Sequence, residues 1–124
     1  MHKISIITVT YNCVDILEST ILSVLQQDYK NIEYIIVDGQ STDGTIDLVR
    51  TYETQITKFV SEKDSGIYDA MNKGLSLCTG DWVFFLNAGD VFCDKFVLSS
   101  IFSSETLEYD VCWGDCWVKI GGKN

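Results

Sequence analysis

Two apolar runs of this chain each lead directly into an acidic turn. Tyr34-Ile35-Ile36-Val37 is followed by Asp38-Gly39-Gln40-Ser41-Thr42-Asp43-Gly44, and Trp82-Val83-Phe84-Phe85-Leu86 by Asn87-Ala88-Gly89-Asp90. Short apolar runs closed by Gly, Asn, Ser and Asp read as buried strands with a loop at the carboxyl end. In open α/β sheets that end is where ligands bind. A carboxylate there can accept hydrogen bonds from a base or ribose, or hold a divalent cation against phosphate oxygens. Taken singly, each loop reads as solvated. Two at equivalent places point to one shared crevice for a nucleotide and a divalent cation.

Asp38 closes a strand and precedes the flexible Gly39, so it is either a reader of a base or ribose or a turn residue capping the next helix. Asp43 reads as a residue of that helix's first turn. Asp90 ends Phe84-Phe85-Leu86-Asn87-Ala88-Gly89; magnesium takes only one or two carboxylates and fills its shell with water and phosphate, so one Asp is enough. Asp90 and Asp94 can equally begin the next helix. A third motif is Asp64-Ser65-Gly66-Ile67-Tyr68-Asp69-Ala70-Met71-Asn72-Lys73-Gly74. Its small residues permit close backbone approach, and a helix N-terminus at Gly66 can face a phosphate or ribose. Lys73 reads as surface, and Asn72 is open between surface and crevice. A dinucleotide-type Gly-x-Gly-x-x-Gly is absent after the first strand, as is a Gly-x-x-x-x-Gly-Lys-Ser/Thr loop. The first strand also lacks the terminal carboxylate that an aspartyl nucleophile requires.

The elements that position these loops alternate along the chain. Ile4, Ile6, Ile7 and Val9 make a β-branched strand ending at Thr10-Tyr11-Asn12. Val14, Leu17, Ile21, Val24 and Leu25 recur at helical spacing, and 32–37 is a second strand buried on both faces. Ser41 or Thr42 is expected to cap a helix carrying Ile46, Val49 and Tyr52, and 56–60 is a third strand. A helix from Gly66 is expected to bury Ile67, Met71, Leu75 and Cys78 and to end in a left-handed Gly80. Residues 82–86 form a fourth strand, Asp94 caps a last helix through Phe96, Val97, Ile101 and Phe102, and 109–113 resembles a fifth strand. The alternation implies one α/β domain over 1–124, with a mostly parallel sheet and right-handed crossovers. Trp113 to Ile120 looks like further structure shortly before the chain stops at Asn124, so the expectation is a fragment of a longer protein.

With 124 residues, such a domain can bury roughly two thirds of its unfolded surface. A net charge of −9 argues against nucleic acid as a partner, since phosphate-backbone affinity comes from Lys and Arg. It also means that an anionic ligand needs a metal or helix N-termini to offset repulsion. Cys13, Cys78, Cys93, Cys112 and Cys116 are odd in number and follow no signal peptide, which favours a reducing, cytoplasmic compartment. Cys112 and Cys116, with His2 the only histidine, lack the partners of a structural zinc site. No run approaches the ~20 apolar residues of a membrane span. Peripheral attachment at the inner face of the cell membrane and self-association into a homo-oligomer stay open.

Together these residues resemble the inverting glycosyltransferases of family 2, which have the Rossmann-like GT-A fold. The resemblance rests on Ile6 to Asn12, Val37 to Thr45, the Asp64 to Gly74 segment and Phe85 to Asp90, in that order and each at a strand–helix junction. Asp-Ser-Gly-Ile-Tyr-Asp-Ala-Met-Asn-Lys-Gly combined with Leu-Asn-Ala-Gly-Asp looks most like transferases that build bacterial surface polysaccharides, including the colanic-acid type.

The resemblance implies transfer of a sugar from a nucleoside diphosphate sugar, with UDP the expected carrier, to a glycan or lipid-linked acceptor. It places Thr8, Tyr11 and Asn12 beside the base and ribose, Asp38 on the base, and Asp64 on the nucleotide. Gly66, Asn72 and Asn87 are counted with the donor-binding residues. Asp90 is the implied ligand of Mg²⁺ or Mn²⁺ on the diphosphate. Asn87 and Gly89 stand where many members carry aspartates, leaving one carboxylate. The catalytic base of such an enzyme lies in its acceptor-side half and is expected beyond Asn124; nothing in the spacing of Asp115 supports that role. The alternative is a nucleotide-sugar-binding or scaffold module without catalysis. A sugar nucleotidyltransferase would need a Gly-rich, Arg/Lys-bearing loop after the first strand, which is missing.

Overall fold

The computed structural model describes residues 2–102, which form a four-stranded parallel sheet covered by helices on both faces. In chain order the elements are β1 (Ile4–Thr10), α1 (Val14–Leu25), β2 (Ile32–Asp38), α2 (Thr45–Thr51), β3 (Lys58–Ser61), α3 (Ile67–Leu77), β4 (Trp82–Phe85) and α4 (Val97–Phe102). The spatial order is β3-β2-β1-β4. The chain therefore steps outward from β1 to β3 and then returns to the far side of β1. That reversal makes the carboxyl end of β1 the switch point, where a crevice opens between loops that diverge. The α/β alternation expected from the sequence is present, while the expected fifth strand at 109–113 lies outside the described residues.

Strand β1 is the axis of the core. Residues 4–10 are all buried, pairing in register from Ile4↔Ile32 to Thr10↔Asp38 on one side and from Ile4↔Trp82 to Ile7↔Phe85 on the other. Side chains alternate across the sheet. Ile4, Ile6, Tyr34 and Ile36 pack with Leu17, Ile21, Val49, Leu98 and Phe102 on the α1, α2 and α4 face. Ile7, Val9, Ile35 and Val37 pack with Ala70 on the α3 face. Right-handed crossovers require this split, because α3 belongs to the one connection that runs back across the sheet.

Three local expectations are corrected by the packing. Helix α3 does not bury Ile67 and Leu75, which are exposed; its buried residues are Ala70 and Gly74. A Cβ at Gly74 would lie 2.6 Å from Ile7 Cγ2, so the smallest side chains mark the contact face and let the helix press onto the sheet. Gly80 is not left-handed. It is flattened against β1, where a Cβ would meet Ser5 Oγ at 2.5 Å and Lys3 O at 2.9 Å. Neither Ser41 nor Thr42 caps α2: Gly44 is the N-cap at φ +103°, and the Asp43 carboxylate accepts the Thr45 N–H at 3.0 Å and the Val14 N–H at 3.2 Å. One acidic side chain thus serves the starts of both α1 and α2. Asp94 lies in the turn before α4, where its Oδ1 accepts the Phe96 N–H at 2.8 Å; the helix itself starts at Val97.

At the amino end of the sheet, Glu33 is 3% exposed and fully partnered. It accepts from Ser5 Oγ, Thr79 N and Thr79 Oγ1, each at 2.8 Å, and lies 3.3 Å from Lys58 Nζ and 3.5 Å from Lys3 Nζ. Burial alone would raise its pKa, but hydrogen bonds from Thr79, Ser5 and Lys58 hold it down at about 2 against an ordinary 4.5. A depressed carboxylate pKa contributes stability above the unfolded value, and that contribution is lost as pH falls towards the folded value. Urea midpoints are therefore expected to fall between pH 4.5 and about 2. In Glu33→Gln the fall over that window is expected to be smaller than in wild type; parallel profiles for the two proteins would disprove this role.

Candidate functional site

The site is built around the carboxylate of Asp38, the last residue of β2. Asp38 is 0% exposed and accepts four hydrogen bonds: from Thr10 Oγ1 at 2.7 Å, Ser41 N at 2.8 Å, Ser41 Oγ at 2.5 Å and Ser61 Oγ at 2.9 Å. Burial pushes its pKa up, and the hydrogen bonds from Ser41, Thr10 and Ser61 more than reverse that, leaving it below the ordinary carboxylate value. Its donors come from the end of β1, the end of β3 and the loop after β2. Asp38 therefore fastens the carboxyl ends of three strands.

From that anchor the loops are tied to each other. The Asn12 side chain accepts the Thr42 N–H at 2.8 Å, and the Asn12 N–H donates to Ser41 Oγ at 2.8 Å. Asn12 holds φ +46°, an uncommon value for a residue other than glycine, and these reciprocal bonds keep it there. The Cys13 N–H donates to Thr45 Oγ1 at 3.0 Å, and burial holds the Cys13 thiol above its ordinary pKa. The Glu62 N–H donates to Asp38 O at 2.9 Å, carrying the β3–α3 loop back over the end of β2.

These loops enclose a cleft of about 450 Å³ lined by Val9, Thr10, Tyr11, Gly39, Lys63, Asp64, Gly66, Ile67 and Ala70. Its walls are largely apolar with a few polar groups, the usual make-up of a small-molecule site. Tyr11 is 65% exposed and offers a ring face for stacking. Asp64 spends Oδ1 on the Gly66 N–H at 3.0 Å. Gly66 starts α3 at φ +122°, and a Cβ there would meet nothing within 4 Å.

Of the residues singled out from the sequence, Tyr11, Asp64 and Gly66 line this cleft. Asp38, which is buried, and Asn12, which is exposed, are not among the lining residues, and both side chains are engaged with protein. Thr8 is fully buried on the α1 face, its hydroxyl 3.0 Å from Tyr34 OH and donating to Leu86 O at 2.7 Å, so its contact is with the core. Burial raises the Tyr34 phenol well above its usual pKa, partly offset by that Thr8 contact. Asn72 is exposed on α3 and is not among the lining residues. Lys73 remains at the surface, donating to Lys63 O at 2.9 Å and pairing with Glu62 at 3.2 Å. Lys63 and Gly39 are cleft residues that reading the sequence missed. Gly39 was visible only as a flexible neighbour of Asp38.

The β4–α4 loop runs along α1. The Gly89 N–H donates to Thr20 Oγ1 at 2.9 Å, and the Asp90 N–H to Asn87 O at 3.0 Å. Asp90 is exposed, and Asn87 Oδ1 is buried with no hydrogen-bond partner among the described residues. Among the described residues no group of three or more His, Cys, Asp or Glu could hold a metal ion. One exposed carboxylate in this turn fits a cation that arrives with its own phosphate ligands, and does not fit a preformed metal cage.

A parallel sheet with a nucleotide-sized cleft at its switch point defines a Rossmann-like nucleotide-binding class. Similarity to solved structures narrows it to the GT-A glycosyltransferase fold. The chain is similar to S. aureus TarS in complex with UDP-GlcNAc, with TM-score 0.72 and 27% identity over 79% of this chain and 29% of that one. It is also similar to the mannosyltransferase PcManGT of Pyrobaculum calidifontis in complex with GDP-Man and Mn²⁺, with TM-score 0.73, 28% identity, and 79% and 30% of the chains covered. The model of the family described as "Glycosyl transferase family 2" matches residues 5–124, and the chain belongs to that family. A PGL/p-HBAD biosynthesis glycosyltransferase of Mycobacterium bovis is 34% identical over 90% of the chain and 45% of its own length. The putative teichuronic acid biosynthesis glycosyltransferase TuaG of Bacillus subtilis is 42% identical over 70% of the chain and 36% of its own length. The chain thus spans less than half the length of these relatives.

Because Asp38 is buried and saturated, its replacement tests the whole arrangement. Asp38→Ala strands hydroxyl and N–H donors from three segments and is expected to cost about 3 kcal/mol of stability. Asp38→Asn, which keeps one acceptor, is expected to cost less. Urea denaturation reads both; a loss under about 0.5 kcal/mol for the alanine variant, the range of ordinary surface changes, would contradict the anchoring role.

Proposed function

We propose that this chain is the donor-binding part of a family 2 glycosyltransferase. In this reading, the enzyme transfers a sugar from a nucleoside diphosphate sugar, with UDP the carrier, to a saccharide or lipid-linked acceptor in cell-surface polysaccharide synthesis. The observation that carries the reading is the cleft at the β1 switch point, with Tyr11, Asp64 and Gly66 in its lining. The TarS and PcManGT structures hold nucleotide sugars, and the named role of TuaG supports the polysaccharide context.

In this reading Tyr11 stacks against the base, Asp64 accepts a hydrogen bond from the nucleoside, and the start of α3 at Gly66 faces the ribose or phosphates. Asp90 holds Mg²⁺ or Mn²⁺, with Asn87 beside it. When bound, that ion supplies positive charge to a departing diphosphate. Asp90 and Asn87 orient this charge and do not themselves take a proton. The acceptor hydroxyl needs a base. We place that group in the part of the relatives' length that this chain does not span. Among the described residues no helix is long and apolar enough to cross a membrane, and Cys13, Cys78 and Cys93 are free thiols. The free thiols support enzymatic work in a reducing compartment, and we place it at the inner face of the membrane, where a lipid-linked acceptor is presented.

Isothermal titration with UDP is expected to show binding that strengthens several-fold when Mn²⁺ is added. Asp90→Ala should abolish the gain from Mn²⁺ and leave metal-free binding unchanged. UDP affinity indifferent to metal in the wild-type chain would remove Asp90 from the role. Robust sugar transfer by these 124 residues alone would overturn the placement of the base elsewhere.

A further inference from the structure

Asp38 ends the strand whose loop forms the cleft floor, yet its carboxylate has no capacity left for a ligand. Both of its oxygens are consumed by Thr10, Ser41 and Ser61. Among the described residues, Asp64 is the one carboxylate in the cleft lining. Its Oδ1 is taken by the Gly66 N–H, which leaves Oδ2. That atom lies 2.8 Å from the point where a side chain at position 39 would place its Cβ, and Tyr11 Cδ1 lies 3.4 Å from the same point. The free carboxylate oxygen and the edge of the exposed aromatic ring therefore meet over the bare Cα of Gly39.

Gly39 cannot give way. Its N–H donates to Thr10 O at 3.0 Å, continuing the β1–β2 ladder, and the next loop is bonded to Asp38 O through Glu62. Its φ is not positive, so the backbone there does not itself demand glycine. The missing side chain makes room for Asp64 and serves no turn. Asp64, in contrast, is a terminal carboxylate that can swing aside.

We propose that Gly39 is a positioning residue that holds Asp64 Oδ2 at the cleft floor beside Tyr11, where it selects a base presenting a ring N–H, as uracil does. The proposal rests on the nucleotide reading of the cleft. A carboxylate is acceptor-only. It pairs with the N3–H of uracil and opposes N3 of cytosine, which is itself an acceptor. UDP and CDP are otherwise nearly the same in size and charge, so the comparison isolates this one contact. Hydrogen bonds to charged groups are strong enough for the preference to reach about tenfold or more.

The test is a double-mutant cycle read by titration of UDP and CDP into the wild-type chain, Gly39→Ala, Asp64→Ala and the double variant, with thermal unfolding as a check on folding. The wild-type chain is expected to prefer UDP by about tenfold or more. Gly39→Ala should bring the ratio of affinities close to one with little change in unfolding temperature, because Asp64 moves rather than the backbone. In the Asp64→Ala background the added methyl should have no further effect on the ratio. Equal affinity of the wild-type chain for both nucleotides, an unchanged ratio in Gly39→Ala, or the same loss from Gly39→Ala with and without Asp64 would each overturn the coupling while leaving nucleotide binding intact. Binding of neither nucleotide by the folded wild-type chain would overturn the nucleotide reading itself, and this proposal with it.

Discussion

A charged group removed from water is costly unless every oxygen finds a donor, and the ligand end of this sheet is organised around one such group. The Asp38 carboxylate draws a hydroxyl from β1, a hydroxyl from β3, and a hydroxyl and an N–H from Ser41. Three of the cleft's segments lie next to these bonds: Tyr11 follows Thr10, Gly39 follows Asp38, and Lys63 and Asp64 come shortly after Ser61, while Gly66, Ile67 and Ala70 add the wall from the start of α3. Satisfying a buried charge thus helps to set the spacing of the cleft's loops. Diverging loops at a switch point would otherwise have few reasons to keep a fixed spacing.

The two ends of the sheet use carboxylates in opposite ways. At the amino end, Glu33 is closed off by Ser5, Thr79 and two lysines, and Gly80 is pressed so tightly on β1 that no side chain fits. At the carboxyl end, Asp38 plays the closed part, while Asp64 and Asp90 keep oxygen atoms for other partners. A chain of net charge −9 can keep its structural carboxylates ionised because hydroxyl and N–H donors surround them. The carboxylates left open are those that an N–H donor or a cation with its phosphates would complete.

Much of this was legible in the chain itself. The β-branched run at 4–10 and the apolar run at 32–37 identified the two central strands, because a parallel sheet buried on both faces needs continuous apolar sequence. The order of the loops pointed to a crevice shared by the β2 and β4 loops, whereas the cleft is lined from the β1, β2 and β3 loops and the start of α3, and residues 87–90 run along α1 instead. Periodicity misread α3, where Ile67 and Leu75 stood out as the apolar stripe while the buried contact is made by Ala70 and Gly74. Close helix–sheet packing selects for small size, which hydropathy does not register. Side-chain destinations at strand ends were the other gap. Spacing shows that Asp38 ends a strand, but only the surrounding hydroxyls decide whether its oxygens face a ligand or the protein. Thr8 follows the same logic: alternation along β1 turns it to the α1 face, one residue before the cleft-lining Val9.

The central claim is that the cleft between the β1, β2 and β3 loops is where a nucleoside diphosphate binds. Backbone amide shifts of the labelled chain, followed while UDP is added, test it most directly. The account predicts that the largest changes fall on Tyr11, Gly39, Asp64, Gly66 and Ala70. Gln27, Gln55 and Thr57, which line a smaller cavity of about 170 Å³ elsewhere, should stay unmoved. Saturable shifts centred on that second group, or none on the first at millimolar UDP, would contradict it.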